Sequence, residues 1–290
     1  MNELVFEQIL LFVAILLIFG FVFVKWAFRS RWRKRSKNKN DLHVVQIASR
    51  KKFHSLLFST NELGTPKSAD IITVGLESGR GGKRIVGAMV FITKSTLQRN
   101  KDLIKRKIVS RDSKTRQRTF IPGRKKTWND KVVVQGTTHN LWHATHLIPF
   151  RYCLSDGDIA NIMFMGTAHL NMGAKYEVGY APASKGTLDS NQARLNQLKE
   201  LVNKSKNGLK LTYPEVQGRG LKRYGFVQYS LDDFERLADY LINSRKDDHF
   251  KYGVECYYEN GDVIPSEVHV VMVNLTKHKL EFSVRLKNIF

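Results

Sequence analysis

Short runs of apolar residues, many of them β-branched, predict strands where Gly, Ser or Asn bounds them. They occupy residues 69–77, 84–92 and 131–136 in the first half of the chain, and residues 251–259, 266–274 and 279–286 near its end. Residues 230–244 repeat apolar side chains at helical spacing and predict an amphipathic helix capped by Ser230, with Leu231, Phe234, Leu237, Ala238 and Leu241 on one face. Strands and helices are grouped rather than alternating, which predicts an α+β fold.

Residues 181–228 predict an inserted helical element. Asp189 or Ser190 is expected to cap its helix, whose apolar face consists of Leu195, Leu198, Leu201 and Val202. The glycine-rich SGRGGKR at residues 78–84 lacks the spacing of a phosphate-binding loop and predicts a hairpin turn. The basic residues 101–126 are predicted to form a solvated loop or hairpin.

The segment from Leu4 to Val24 is apolar almost throughout and has about the 20 residues that a helix needs to cross a hydrocarbon layer. Bulky, basic residues follow it instead of the small residues of a signal-peptide cleavage site. Residues 1–28 are therefore predicted to be a retained, single-pass transmembrane anchor, with a buried soluble helix as the alternative.

Basic residues 29–45 form the predicted juxtamembrane linker, and residues 25–39 are expected to bind an anionic membrane surface. The anchor has positive charge on this side only, so the positive-inside rule predicts that the rest of the chain is cytoplasmic.

Charge is the strongest feature of the composition, with 48 Lys+Arg against 26 Asp+Glu and a formal net charge of +22. A surface of this kind attracts polyanions, and the candidate partners are nucleic acid, anionic lipid and cell-wall polymer. A generally basic surface without a specific partner is the alternative. The two cysteines are too few and too far apart for a disulfide framework or a metal knuckle.

Three histidines lie close together in THNLWHATH, at positions 139, 143 and 146. On a helix this spacing would place three imidazoles on one face, which is typical of a zinc site. Asn140 stands where a metalloprotease needs a glutamate as general base, and the preceding VVVQGTT predicts strand and turn instead. Three hypotheses follow: a zinc hydrolase using His139, His143 and His146, histidines with a structural role only, or one histidine that acts on an anion.

Three motifs support the last hypothesis by their order: HLIPFRY, then GTAHLNMG, then FERLADYL. This order resembles the DNA/RNA non-specific endonucleases of the ββα-metal (His-Me finger) class, and particularly the bacterial DNA-entry nucleases. Residues 79–97 and the YYENGDVIPSEVHVVMVN segment are also similar to this family, so that the resemblance covers residues 70–275 loosely. It implies a nuclease-like domain over residues 46–290, with a central antiparallel sheet and the insertion at 181–228.

The resemblance also implies roles for individual residues. His146 is the expected general base, Asn171 the ligand of Mg²⁺ or Mn²⁺, and Glu235 a residue near the metal-bound waters. His143-Ala144-Thr145 replaces the family's Asp-Arg-Gly, and the insertion separates Asn171 from Glu235, for which Glu177 is the alternative.

The function predicted from the sequence is a membrane-anchored, Mg²⁺-dependent, sequence-non-specific endonuclease acting on DNA and, by the same chemistry, RNA. An inhibitor protein is a further expected partner, and family analogy predicts an extracellular rather than a cytoplasmic domain. The alternative is a nucleic-acid-binding protein whose hydrolytic centre has degraded. The candidate phosphate contacts are Arg80, Arg84, Lys222 and Arg223.

Overall fold

The largest element of the structure is a seven-stranded mixed sheet. The computed structural model describes residues 43–61, 71–79, 82–108, 121, 131–134, 137–140, 142–154, 163–167, 170–171, 186–211, 229–259 and 261–288, all within the compact unit His43–Phe290. The strands of the main sheet, numbered in chain order, are β1 (His43–Ile47), β2 (Ile71–Gly79), β3 (Gly82–Thr93), β8 (Leu209–Leu211), β9 (His249–Tyr257), β10 (Glu267–Asn274) and β11 (Lys279–Lys287).

Across the sheet the strands follow the order β1-β2-β3-β9-β10-β11-β8. The two outer pairs, β1–β2 and β11–β8, are parallel, and the other four pairs are antiparallel. The predicted strands at β2, β3, β9, β10 and β11 are confirmed with boundaries that differ by at most two residues. The hairpin predicted at SGRGGKR is confirmed too, since β2 and β3 pair as far as Gly79 and Gly82.

Both faces of the central strands are covered by helices. On one face α1 (Arg50–Phe58), which begins at the N-cap Ser49, places Phe53 and Leu57 against β3 and β9. The close approach requires glycine in the strands, because a Cβ on Gly87 would lie 2.6 Å from Phe53 Cε1 and one on Gly253 would lie 2.5 Å from Leu57 Cδ1. Neither β1 nor α1 has a counterpart among the predicted elements.

On the other face lies α5 (Leu231–Ser244), the amphipathic helix predicted from the sequence. Ser230 caps it in a capping box with Asp233, as predicted, and the predicted apolar face is buried. Phe234 is fully buried, and its ring centroid lies 5.5 Å from that of Phe282 in β11. Burial of this face is what holds α5 on the sheet.

A second helix, α2 (Lys94–Lys105), follows β3 directly and corrects part of the sequence prediction. Residues 101–105 were predicted to belong to a loop or hairpin, but they form the last turns of this helix. Buried Asn100 in α2 donates hydrogen bonds to the backbone oxygens of Arg151 and Tyr152, and so holds the short helix α3 (Phe150–Cys153).

The predicted insertion contributes a helix and a strand. The helix α4 (Gly186–Lys204) begins before Asp189 and Ser190, so neither residue caps it, and that prediction is wrong. Leu198 and Val202 of its predicted apolar face are buried. After α4 the chain returns to the main sheet as β8, which pairs with β11. The insertion is thus part of the core rather than a separate appendage.

Two small sheets complete the described structure. One consists of β4 (Lys131–Val134) and β5 (Thr137–Asn140), and the other of β6 (Trp142–His146) and β7 (Met163–Thr167). We call the β6–β7 pair the histidine ribbon. Cys153 and Cys256 are both buried and do not form a disulfide with each other.

The predicted fold class is corrected in one respect. Among the described residues, no helix is long and apolar enough to cross a membrane. Of the described helices only α4, with 19 residues, has the length, and its sequence carries charged residues along that length: Asp189, Arg194, Lys199, Glu200 and Lys204. Residues 1–42, which include the segment that led to the prediction of a transmembrane helix, lie outside the described residues.

Candidate functional site

The histidine ribbon presents its two histidines on opposite faces. In the antiparallel register His143 lies opposite Gly166, and His146 lies opposite Met163. Directly opposed residues share a face of the sheet, and successive side chains alternate between the faces. His143 therefore shares a face with Thr145 and Gly166, whereas His146 shares the other face with Trp142 and Ala144.

The face that carries His146 packs against apolar side chains. Met163 and Met165 of β7 form a small buried cluster with Ile121, and the half-buried Trp142 and Ile264 pack against it. His146 is itself half-buried and lies opposite Met163 in this setting. The site on this side of the ribbon is mainly a packing surface.

The face that carries His143 meets Asn171. Thr167 at the end of β7 accepts a hydrogen bond through Oγ1 from the backbone N of Leu170 at 3.1 Å, as an N-cap residue does. Residues 170 and 171 are helical. As a result Nδ2 of Asn171 lies 3.4 Å from Nδ1 of His143.

One residue from the far end of the chain fixes β7. Asn288 is buried, and its Oδ1 accepts a hydrogen bond from the backbone N of Thr167 at 2.7 Å. Its Nδ2 donates to the backbone oxygens of Met165 and Pro265, at 3.0 and 2.7 Å. The side chain of Asn288 thereby ties β7 to the residues that precede β10.

Partial burial sets the charge of the His143 ring. Burial lowers the pKa of His143, and a hydrogen bond to the backbone of Asn140 opposes this effect in part. The imidazole is therefore mainly neutral near pH 7, the form that accepts a proton.

The contact between His143 and Asn171 is long for a hydrogen bond. Its 3.4 Å exceeds the range of about 2.7–3.2 Å that is usual for strong hydrogen bonds of protein N–H groups. A weak contact of this kind leaves both groups able to bind a water molecule or a phosphate oxygen that lies beside them. Such a water would lie against both the amide, which orients it, and the ring, which takes its proton.

The residues at this site fit a hydrated Mg²⁺ better than a metal held by protein alone. Among the described residues, no group of three or more His, Cys, Asp and Glu side chains is placed to hold a metal ion. Asn171 offers one amide oxygen, which is an oxygen ligand of the type Mg²⁺ accepts while it keeps most of its waters. Any metal here would have to share the substrate's oxygens.

Glu235 lies in a different environment from the one expected for it. Nη1 of Arg151 donates to its Oε2 at 3.0 Å, and Arg151 also pairs through Nε with Asp239 at 3.1 Å. Lys101 and the hydroxyl of Tyr152 reach Asp239 as well, at 3.0 and 2.8 Å. Burial raises the pKa of Glu235, and the charge of Arg151 opposes the rise. This network joins α2, α3 and α5.

Of the four predicted phosphate contacts, only Arg84 lies among the described residues. Its Nε donates to Oε1 of Glu77 at 2.7 Å, and its Nη1 donates to the backbone oxygen of Asp262 at 3.0 Å. The guanidinium also stacks 4.6 Å from the ring centroid of Tyr258. These contacts give Arg84 a structural role. Arg80, Lys222 and Arg223 lie outside the described residues, as does Glu177.

The helical arrangement behind the zinc hypothesis is absent from this segment. Residues 137–140 and 142–146 are strands, and alternation in β6 separates His143 from His146. The side chain of His139 lies outside the described residues.

The sequence did not single out His143 as the partner of Asn171. The available indication was the strand character of VVVQGTT, since alternation along a following strand places residues three apart on opposite faces. Which of the two faces meets Asn171 depends on the register with β7 and on the turn at Thr167. The role of His146 as general base stays a prediction.

Comparison with known proteins adds no relative. No protein-family model matches the sequence, and a search of curated proteins finds no match.

Proposed function

We propose that the protein is a Mg²⁺-dependent, sequence-non-specific nuclease that hydrolyses phosphodiester bonds of DNA. The observation that carries the proposal is the approach of the Asn171 amide to the His143 ring, at 3.4 Å. His143 belongs to the strand at residues 142–146. Asn171 belongs to the helical residues 170–171, which follow the paired strand at residues 163–167. The motif order that resembles the non-specific endonucleases supports the same chemistry.

The charge of the chain supports a polyanionic substrate. A net charge of +22 attracts DNA through its phosphates, and phosphate contacts carry no sequence information. The expected enzyme is therefore non-specific, and its affinity for DNA falls as salt rises.

In the proposed reaction a water oxygen attacks phosphorus and the bond from phosphorus to the leaving oxygen breaks. The neutral ring of His143 takes the proton of the water, and Asn171 orients that water. The leaving alkoxide gains its proton from solvent. A Mg²⁺ bound by Asn171 Oδ1 and the substrate would supply neutralisation of the phosphate charge.

A cleavage assay with the full-length protein tests the proposal. Supercoiled plasmid is incubated with Mg²⁺ or with EDTA, using the wild-type protein and the variants His143→Ala, Asn171→Ala and His146→Ala. His278→Ala is the matched control, because His278 lies at an exposed turn where its Nδ1 contacts the Thr60 backbone oxygen. Loss of a general base lowers the rate by roughly 10²–10⁴-fold. We expect this loss for His143→Ala and not for the control.

Two results would overturn the proposal or its assignment. If the wild-type protein leaves the plasmid intact with Mg²⁺, or if EDTA has no effect on cleavage, the Mg²⁺-dependent nuclease proposal fails. If His146→Ala loses cleavage while His143→Ala keeps it, the general base is His146 and the role given to His143 is wrong.

One observation favours a second function, binding of DNA without hydrolysis. Glu235 is engaged by Arg151 on α3, so the carboxylate expected near the metal has another role. Retention of DNA in a gel by a protein that does not cleave it, with retention weakened by salt, would support this alternative.

A further inference from the structure

A second polar site lies on the main sheet, on the face that α1 covers in part. Gly87, Glu255, His269 and Arg285 are paired in one row across β3, β9, β10 and β11. Phe53 of α1 covers the glycine end of this row. Phe58, the last residue of α1, lies against His269, with ring centroids 5.1 Å apart. The other end of the row, His269 and Arg285, therefore lies next to the C-terminal end of α1. We call this junction the corner.

His54 of α1 points its ring at a buried carboxylate in this row. Nδ1 of His54 lies 2.8 Å from Oε2 of Glu255, whose side chain is 1% exposed. The hydroxyl of Tyr257 donates to the same oxygen at 2.9 Å, and Arg50 reaches Oε1 at 3.4 Å. A carboxylate fixed in this way keeps the proton of the ring on Nδ1 and sets the ring orientation. The His54 side chain is 48% exposed, so the ring remains open to solvent.

Arg285 supplies an exposed positive charge at the same corner. Its side chain is 48% exposed, and its guanidinium lies 5.6 Å from the ring centroid of Tyr257. Among the described residues its one ion-pair partner is Glu267, at 3.7 Å from Nε, which is too long for a strong hydrogen bond. The terminal nitrogens of the guanidinium are thus available to bind a ligand.

His269 lies between His54 and Arg285 and is 6% exposed. Its Nε2 is 2.7 Å from the hydroxyl oxygen of Ser283, while its buried Nδ1 has no hydrogen-bond partner among the described residues. Burial, followed by the charges of Arg285 and His54, lowers the pKa of His269 to about 4. His54 and Arg285 therefore both lie near one point of the sheet, where a ring nitrogen lacks a hydrogen-bond partner among the described residues.

The carboxylates around the corner are less exposed than His54 and Arg285. Glu77, Glu255 and Glu267 have side chains that are 20%, 1% and 13% exposed, and each is paired with arginine or lysine. What faces solvent is mainly positive charge, and this charge attracts an anion.

We propose that the corner formed by His54, His269 and Arg285 binds a phosphate group. A guanidinium edge matches two phosphate oxygens at once, and the exposed ring of His54, in its doubly protonated form, donates from Nε2 to a third oxygen while Nδ1 stays on Glu255. The site is separate from the histidine ribbon and does not depend on nuclease activity. Its ligand is a free phosphate or phosphate monoester, or a phosphate of a nucleic-acid backbone.

Titration calorimetry of the full-length protein tests the site, with inorganic phosphate as one ligand and a short single-stranded DNA as the other. The variants are His54→Gln and Arg285→Gln. The matched controls are His278→Gln, at an exposed turn, and Arg236→Gln, whose Nε pairs with Asp232 on the surface of α5 at 2.8 Å. Loss of one charge-assisted hydrogen bond weakens binding roughly tenfold or more.

We expect His54→Gln and Arg285→Gln each to weaken phosphate binding by this factor, and both controls to bind as the wild-type protein does. A parallel loss of oligonucleotide binding identifies the ligand as backbone phosphate, and unchanged oligonucleotide binding identifies free phosphate or a monoester. The proposal is overturned if the wild-type protein does not bind phosphate, or if the controls weaken binding as much as the site variants. Thermal melting establishes that each variant is folded, and if His54→Gln is not, Arg285→Gln decides.

Discussion

The main sheet and the histidine ribbon are held together in different ways. β9 and β10 are buried along nearly their whole length between α1 and α5, so many apolar contacts share the task of fixing them. In β6 only Thr145 of five residues is buried, whereas all five residues of β7 are buried and Asn288 adds hydrogen bonds to two of them. The free energy of unfolding should therefore depend mainly on the main sheet. Substitutions in the ribbon should alter function more than they alter stability.

The largest effect is expected in the main-sheet core. Phe234→Ala removes a fully buried ring next to Phe282 and should lower the free energy of unfolding by about 3–5 kcal/mol. Trp142→Ala, which removes a half-buried ring from the ribbon, should cost clearly less. Urea unfolding followed by circular dichroism measures both, and equal losses would show that the two regions do not differ in this way.

Acid should weaken the main sheet through His269. Its pKa is about 4 in the folded protein against 6.5 for an unperturbed histidine, so the unfolded chain binds a proton first as the pH falls. The free energy of unfolding should therefore fall by about 3 kcal/mol in total as the pH is lowered from 6.5 to 4. His269→Gln should remove most of this slope in urea unfolding at a series of pH values. An unchanged slope would assign the acid sensitivity to other groups.

An intermediate effect is expected in the network of Arg151 and Glu235, which joins α2, α3 and α5. Glu235→Gln should lower the free energy of unfolding by about 1–2 kcal/mol, a partly exposed pair being worth less than a fully buried one. Because Arg151→Gln removes the same pair, the double variant should lose less than the sum of the single losses. Additive losses would show that the two side chains do not interact in solution.

The smallest effect on stability is expected at His143. His143→Ala truncates a half-buried strand residue and loses the long contact to Asn171 and the hydrogen bond to the backbone of Asn140, so it should lower the free energy of unfolding by only about 1 kcal/mol. The same variant should lose DNA cleavage. A large loss of stability would place His143 among the residues that hold the ribbon together.

The sequence predicted the elements with strong local patterns. Ser230 and the apolar repeat after it define α5, and five strands of the main sheet were found to within two residues. Order across the sheet was not predictable, because β3 pairs with β9 and β8 pairs with β11, and such pairing depends on contacts between distant segments. The short strand β1 and the helix α1, with its mixed polar sequence, carried too weak a pattern.

The candidate sites were predictable only in part for the same reason. Asn171 and the histidine pair were noticed as residue types, but the face on which each lies follows from the register of β6 with β7. His54 carried no motif at all, since its partner Glu255 lies 201 residues away and is brought to it by the packing of α1 on β9. Glu235 matched a motif, but its ion pair with Arg151 was not visible in the sequence.

Asn288 also has a consequence for the order of assembly during translation. It lies 121 residues after Thr167, whose backbone N–H it accepts. At roughly 5–20 residues per second, a ribosome needs roughly 6–24 s to deliver it after β7 has emerged. During this interval the histidine ribbon of the nascent chain lacks the hydrogen bonds from Asn288. A chaperone that shields exposed strands can bind the ribbon in that time.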